Sequence, residues 1–391
     1  MTNLHRMTMI SGLVFGAVGV SSPLMTLYLQ SLGASFAQIS LILTSVAAIL
    51  MFSNYIWGRI SDRIGRRKPL IVGGLGSMAC AFMLLSQAPN ANWAWGVRVF
   101  EGISMAAYLT TSLALMGDLL TSEGHRGRHM GIYRGIGSVA FAVGAVTGGR
   151  LADMFSISTA LYAAAGFYLA AALVALTLRE TRAASTAEET PAQTPAQSKA
   201  ERLPILFLGG VLLWTMAHGA STSMWPNYMD TFGYNKTTIS SLWGFAAVVE
   251  GIGMPLIGSL SDVVGRAPLL IAGGIGIMLV QIGYITVAAY LPALVGVQAV
   301  RGFGFASYTT CAMTFASELG SKRVRGNNSG TFNAAGSSGQ LIGALIGGTL
   351  VELMGFKFLF SVCAVAALSS AACFWLLRYR ARREAAQVSA A

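Results

Sequence analysis

Twelve times along this 391-residue chain the sequence turns apolar for long enough to cross a bilayer. The stretches run at approximately 8–29, 36–56, 69–87, 93–116, 130–151 and 157–178, then at 203–225, 238–258, 267–288, 291–315, 329–350 and 357–378. About 20 apolar residues span the hydrocarbon core as a helix. Only 10% of residues are charged, against roughly 25% in soluble chains. The expected class is therefore an all-α membrane protein of twelve transmembrane helices. The stretch from Met7 to Leu29 is too long for the apolar core of a cleavable leader and has no small-residue cleavage site, so it is expected to remain as the first span.

A net charge of +11 invites a nucleic-acid reading, but its placement argues for topology. With the N-terminus inside, cytoplasmic segments hold 21 of the 26 basic residues, and the opposite side holds only Arg150, Lys236 and Lys357. This asymmetry places both termini in the cytoplasm and sets anionic lipid headgroups beside the basic loops. No nucleic-acid partner is expected. Residues 183–202 are rich in Ala, Thr, Pro and Glu and read as a flexible cytoplasmic linker. The expected organisation is a six-helix lobe at 1–182, that linker, a second lobe at 203–380 and a tail at 381–391.

The two halves repeat. Gly58-Arg-Ile-Ser-Asp62-Arg-Ile-Gly65-Arg66 returns as Gly258-Ser-Leu-Ser-Asp262-Val-Val-Gly265-Arg266, an offset of 200. Tyr28, Gly33, Gly102 and Tyr108 recur at the same offset, and Gly144, Gly148 and Gly149 recur at 199. Odd spans match odd spans, so the repeat is parallel, about an axis along the membrane normal. The expected result is a pair of pseudo-symmetric six-helix bundles.

The loop after the second span, Gly58 to Arg67, resembles the signature of the major facilitator superfamily, with a degenerate copy from Gly258 to Arg266. The resemblance covers essentially the whole chain. It implies two bundles that close alternately over a central cavity lined by spans 1, 4, 7 and 10. It also implies that Asp62, Arg66 and Asp118 form a cytoplasmic gate cluster, with Asp262, Arg266 and Glu318 as its mirror. Arg98-Val-Phe-Glu101-Gly102 is similar to a motif of proton-coupled members, with Glu101 where Gln is usual. Gly144-Ala145-Val-Thr-Gly148-Gly149 is similar to the antiporter motif of drug:proton exporters, with Ala145 in place of its proline. The spacings Gly144-xxx-Gly148 and Gly343-xxx-Gly347 also suit close helix packing by themselves.

Ionisable groups deep in a span are costly and usually functional. Five stand there: Arg98, Glu101, His218, Glu250 and Arg301. Glu250 has Leu50 as its repeat counterpart, so its carboxyl belongs to one half only. Glu101 can pair with Arg98 one turn away or, through the repeat, with Arg301 at the equivalent position. Cys80, Cys311, Cys363 and Cys373 show no CxxC spacing, and the 18 methionines are scattered. Neither a metal site nor a cofactor is expected, and no nucleophile–base set marks an enzyme. The expected activity is proton-coupled transport of a small organic solute by a monomer in the plasma (inner) membrane, with efflux favoured over uptake.

Overall fold

The computed structural model describes residues 2–121, 126–179, 203–318 and 325–390, and every regular element among them is helical. Helices α1 (Asn3–Ser21) and α2 (Met25–Ser31) form one rod through a tight turn at Ser22–Leu24 that starts next to Pro23. Then come α3 (Phe36–Ile64), α4 (Lys68–Ser86), α5 (Ala91–Thr121), α6 (Arg126–Met154) and α7 (Ile157–Leu176). The second half supplies α8 (Ile205–Thr231), α9 (Lys236–Val264), α10 (Arg266–Val287), α11 (Leu291–Glu318), α12 (Arg325–Met354) and α13 (Phe356–Ala390).

Ten of these rods are long and apolar enough to cross a membrane. The other two, α6 and α11, have the length but fall outside that set among the described residues. The protein is a multi-pass integral membrane protein. The expected linker at 183–202, Lys322, Arg323, and the side chains of Asp62, Asp118, Arg126, Arg128 and Arg134 lie outside the described residues.

The chain divides into two compact units. One comprises Met1–Thr190 with Met229–Ala247, the other Pro191–Tyr228 with Val248–Ala391. Each is held by the same contacts. In the first, the Tyr28 hydroxyl donates to the Leu85 carbonyl at 2.6 Å; in the second, the Tyr228 hydroxyl donates to the Tyr284 carbonyl at 3.1 Å. A Cβ on Gly74 would meet Ser104 O at 3.1 Å and Tyr108 N at 3.0 Å, and one on Gly273 would meet Gly304 O and Tyr308 N at 3.1 Å. The sequence repeat is thus written in matched backbone approaches that only small residues permit. Both motif loops turn at a glycine of positive φ, but with different geometry: Gly65 (φ 62°, ψ 9°) caps α3 in the left-handed conformation, whereas Gly265 (φ 90°, ψ 163°) is extended in ψ and leads into α10.

Glycine also sets the packing of α6 on α1. A Cβ on Gly144 would lie 2.3 Å from Gly16 O, and one on Gly148 would lie 2.5 Å from Val20 O. In the second unit Gly343 stands in the same relation to Met216 O at 2.2 Å, and Gly347 to Ala220 O at 3.1 Å. Side chains at these positions would push the rods apart, so the backbones meet directly.

Candidate functional site

In the second unit, α8 and α11 bring an aromatic stack against a titratable group. Trp214 and His218 are one turn apart on α8 and stack at 5.0 Å and 22°. Tyr308 of α11 lies flat on Trp214 at 3.7 Å and 7°. Phe305 closes the group at 5.0 Å from His218 and 5.7 Å from Trp214. Trp214 and Tyr308 are buried, while His218 and Phe305 remain half-buried. The indole of Trp214 donates to the Gly273 carbonyl at 3.4 Å, which fixes the stack against α10.

Arg301 stands one turn before Phe305 on α11, so both side chains share a face. Its guanidinium acts electrostatically on Glu250, on His218 and on the Tyr284 phenol. Arg301 is thus the charge that reaches both of the other ionisable residues the sequence singled out in this half. Gln298, one turn earlier on α11, donates to the Tyr284 hydroxyl at 3.3 Å. Five residues after Glu250, Pro255 removes the amide that would bond the Gly251 carbonyl. The helix is locally weakened beside the carboxyl.

In the first unit, Arg98 pairs with Glu101 through Nη1 and Oε2, and each side chain is 12% exposed. The pairing is the intrahelical one of the two alternatives, and both charges act on the buried phenol of Tyr168 from α7. The same unit carries an open apolar groove of about 440 Å³, lined by Gly12, Gly16, Phe167 and the exposed side chains of Val139 and Val143.

At the loop ends of the second unit, Arg266 donates through Nη2 to Asp262 at 3.0 Å and to Glu318 at 2.7 Å, and through Nη1 to the Ser261 carbonyl at 3.0 Å. Its first-half counterpart depends on Asp62 and Asp118, whose side chains are outside the described residues, while Arg66 occupies the α3–α4 turn. A Cβ on Gly58 would meet Thr110 at 3.7 Å, and one on Gly258 would meet Thr310 at 3.8 Å, so both motif glycines face the next-but-one helix of their own unit. Among the described residues no three His, Cys, Asp or Glu converge as a metal site.

A family model described as the Major Facilitator Superfamily matches residues 7–291 and 206–391. The chain belongs to the major facilitator superfamily. Within it, the chain is 34% identical over 116 residues to a puromycin resistance protein of Streptomyces alboniger, which covers 30% of this chain and 23% of that one. It is 24% identical over 273 residues to a multi-drug resistance efflux pump of Streptococcus pneumoniae, covering 65% of this chain and 66% of the pump. The chain thus spans less than two thirds of either relative's length. A crystal structure of the nucleoside transporter NupG superposes with a TM-score of 0.80, covering 97% of this chain and 99% of that one at 16% identity, and so shares the superfamily fold. Membership makes the protein a transporter by family, not an enzyme.

Sequence reasoning missed Trp214, Phe305, Tyr308 and Tyr168, whose helical spacing looks the same as ordinary core. It also missed Asp153. That residue ends α6, and its only sequence signal is an acidic residue, Glu352, at the repeat-equivalent position 199 later.

Proposed function

We propose that this superfamily member is a proton-coupled exporter of small organic solutes, working by alternating access. In this reading it is a monomer in the plasma membrane, with twelve spans, both termini cytoplasmic and the basic loops against anionic headgroups. The observation that carries it is Arg301, whose charge acts on both Glu250 and His218, one turn before the half-buried Phe305 that packs on the His218 ring. A carboxyl that exchanges a proton beside a guanidinium changes whether that guanidinium is neutralised internally or offered to a solute. The half-buried Phe305 ring favours a solute with a ring or an alkyl portion. The efflux direction is supported by the multi-drug efflux pump among the relatives.

A second reading, uptake symport of a sugar or organic acid, draws on Ala145, which stands where the antiporter motif has proline, and on Glu250. One pair of measurements decides between them. A thermal-shift ligand screen of the purified protein at two pH values identifies a solute that binds. Proteoliposomes with an imposed proton gradient then report its movement. Solute moving against the proton flow supports export, co-directional movement supports uptake, and gradient-independent movement removes the proton coupling.

A further inference from the structure

The first turn of α9 is capped from another helix. Its N-terminal amides need acceptors, as at any helix start. Asn235 supplies one for Thr238 N at 2.8 Å. The others come from Asp153, at the end of α6 and 83 positions earlier in the chain. Its Oδ1 accepts from Lys236 N at 2.9 Å, and its Oδ2 accepts from Thr237 N at 2.7 Å and from the Thr237 hydroxyl at 2.6 Å. A carboxylate on the positive end of a helix is the favourable sign, and charge-assisted bonds of this length are the stronger kind.

The cap sits at the end of a seam with no room for side chains. A Cβ on Gly149 would lie 2.7 Å from Lys236 O and Thr237 Cα, and one on Gly244 would lie 3.2 Å from Ala142 O. Ser240, fully buried, lies against Gly149. So α6 and the first turns of α9 meet backbone to backbone, and Asp153 is the polar clasp at the solvent end. That end is the one the basic-residue bias assigns to the outside. The charges around it are Lys236, whose ammonium is 3.2 Å from Asp230, and Arg150 one turn earlier on α6; the Tyr234 phenol occupies the adjoining turn.

We infer that Asp153 is a latch residue of the transport cycle, holding the external face shut by capping α9 from α6. The inference rests on the alternating-access reading above. Spans 5 and 8 belong to different sequence halves, so opening this face withdraws α6 from α9, uncovers Ser240 and leaves two helix amides to water. A plain structural cap would stabilise the fold equally in every state of the cycle. A latch stabilises one state and sets the balance between states.

The test uses full-length protein with the four native cysteines replaced and Ser240→Cys introduced, reacted with a membrane-impermeant maleimide. Asp153→Ala should raise the labelling rate about fivefold, the shift expected from losing one helix cap, with the melting temperature nearly unchanged. Asp153→Asn keeps one acceptor and should lie between parent and Ala. Thr237→Val removes the hydroxyl bond without touching the carboxyl and should also raise labelling. Unchanged labelling in both Asp153→Ala and Thr237→Val overturns the latch, as does a fall in melting temperature with labelling unmoved. Labelling needs no solute gradient, so a protein that labels as expected but moves no solute uphill keeps the latch and loses the export reading.

Discussion

The Arg266 guanidinium donates to Glu318 across 2.7 Å, joining the start of α10 to the end of α11 within the second unit. Asp262, one turn before Arg266, shares that charge at 3.0 Å. Both carboxylates are more than half exposed, so their Coulomb energy is largely screened. Glu318→Gln is expected to cost less than about 1 kcal/mol of stability and, in the gate role that the superfamily resemblance implies for this trio, still to slow transport several-fold through the balance of states. Paired melting and transport measurements check this. Normal transport in the variant would assign the trio to surface structure alone.

Glu250→Gln should keep solute exchange down a gradient and lose uphill movement. The substitution retains the shape and the hydrogen-bonding edge of the protonated acid but cannot release a proton beside Arg301. Counterflow and gradient-driven uptake in the same vesicles separate the two activities. Uphill movement by the Gln variant would shift the coupling group to Glu101.

Two adjacent glycine faces on α6 should respond differently to bulk. Gly144→Val drives a methyl toward Gly16 O, which a Cβ already approaches to 2.3 Å. It should therefore lower the melting temperature, with an overpacking cost of about 1–3 kcal/mol or more. Gly149→Val meets Lys236 O and Thr237 Cα instead. It should open the α6–α9 seam and speed Ser240→Cys labelling by more than it lowers the melting temperature. Equal melting losses with no labelling change would make both positions simple packing sites.

The clasp also carries a pH dependence. Burial opposes ionisation of Asp153, but the Thr237 hydroxyl, the amides of Thr237 and Lys236 and the charge of Lys236 outweigh it and hold the carboxyl below its ordinary range. A depressed acid contributes while ionised, so the clasp is at full strength above the pKa of the uncapped carboxyl. It is lost as pH falls through the lowered value of the capped form. Labelling of Ser240→Cys should stay flat near neutral pH and rise only under strongly acidic conditions, read with a pH-tolerant thiol reagent. In Asp153→Ala that acid limb should disappear. A rise between pH 8 and pH 6 would point to another group.

Several features were legible from one dimension because each is a local rule. Span lengths follow from bilayer thickness, and the helices α3, α4, α9 and α10 start close to where the apolar stretches begin, while α3 and α9 run on past their ends. The offset-200 repeat foretold matched contacts such as Tyr28 to Leu85 and Tyr228 to Tyr284, since equal sequence in an equal environment finds equal partners. Charges such as Glu250 and Arg301 stood out because an ionisable group in an apolar run is costly wherever the helix goes.

Only the tertiary structure decided who meets whom. Glu101 had two candidate partners, and the fold holds Arg98 against it on its own helix, where one turn already brings the groups together. Trp214, Phe305 and Tyr308 are unremarkable aromatics in sequence; they become a stack because α8 and α11 cross at that depth. Asp153 reaches Lys236 and Thr237 across 83 and 84 positions. No periodicity reports such a contact, because it depends on where two helix ends arrive in space and on glycines that let their backbones touch. The sequence by itself determined a membrane-spanning helical chain in two repeated halves with a few expensive charges. Which of those charges pair, and which carboxylate closes a seam, was settled by packing.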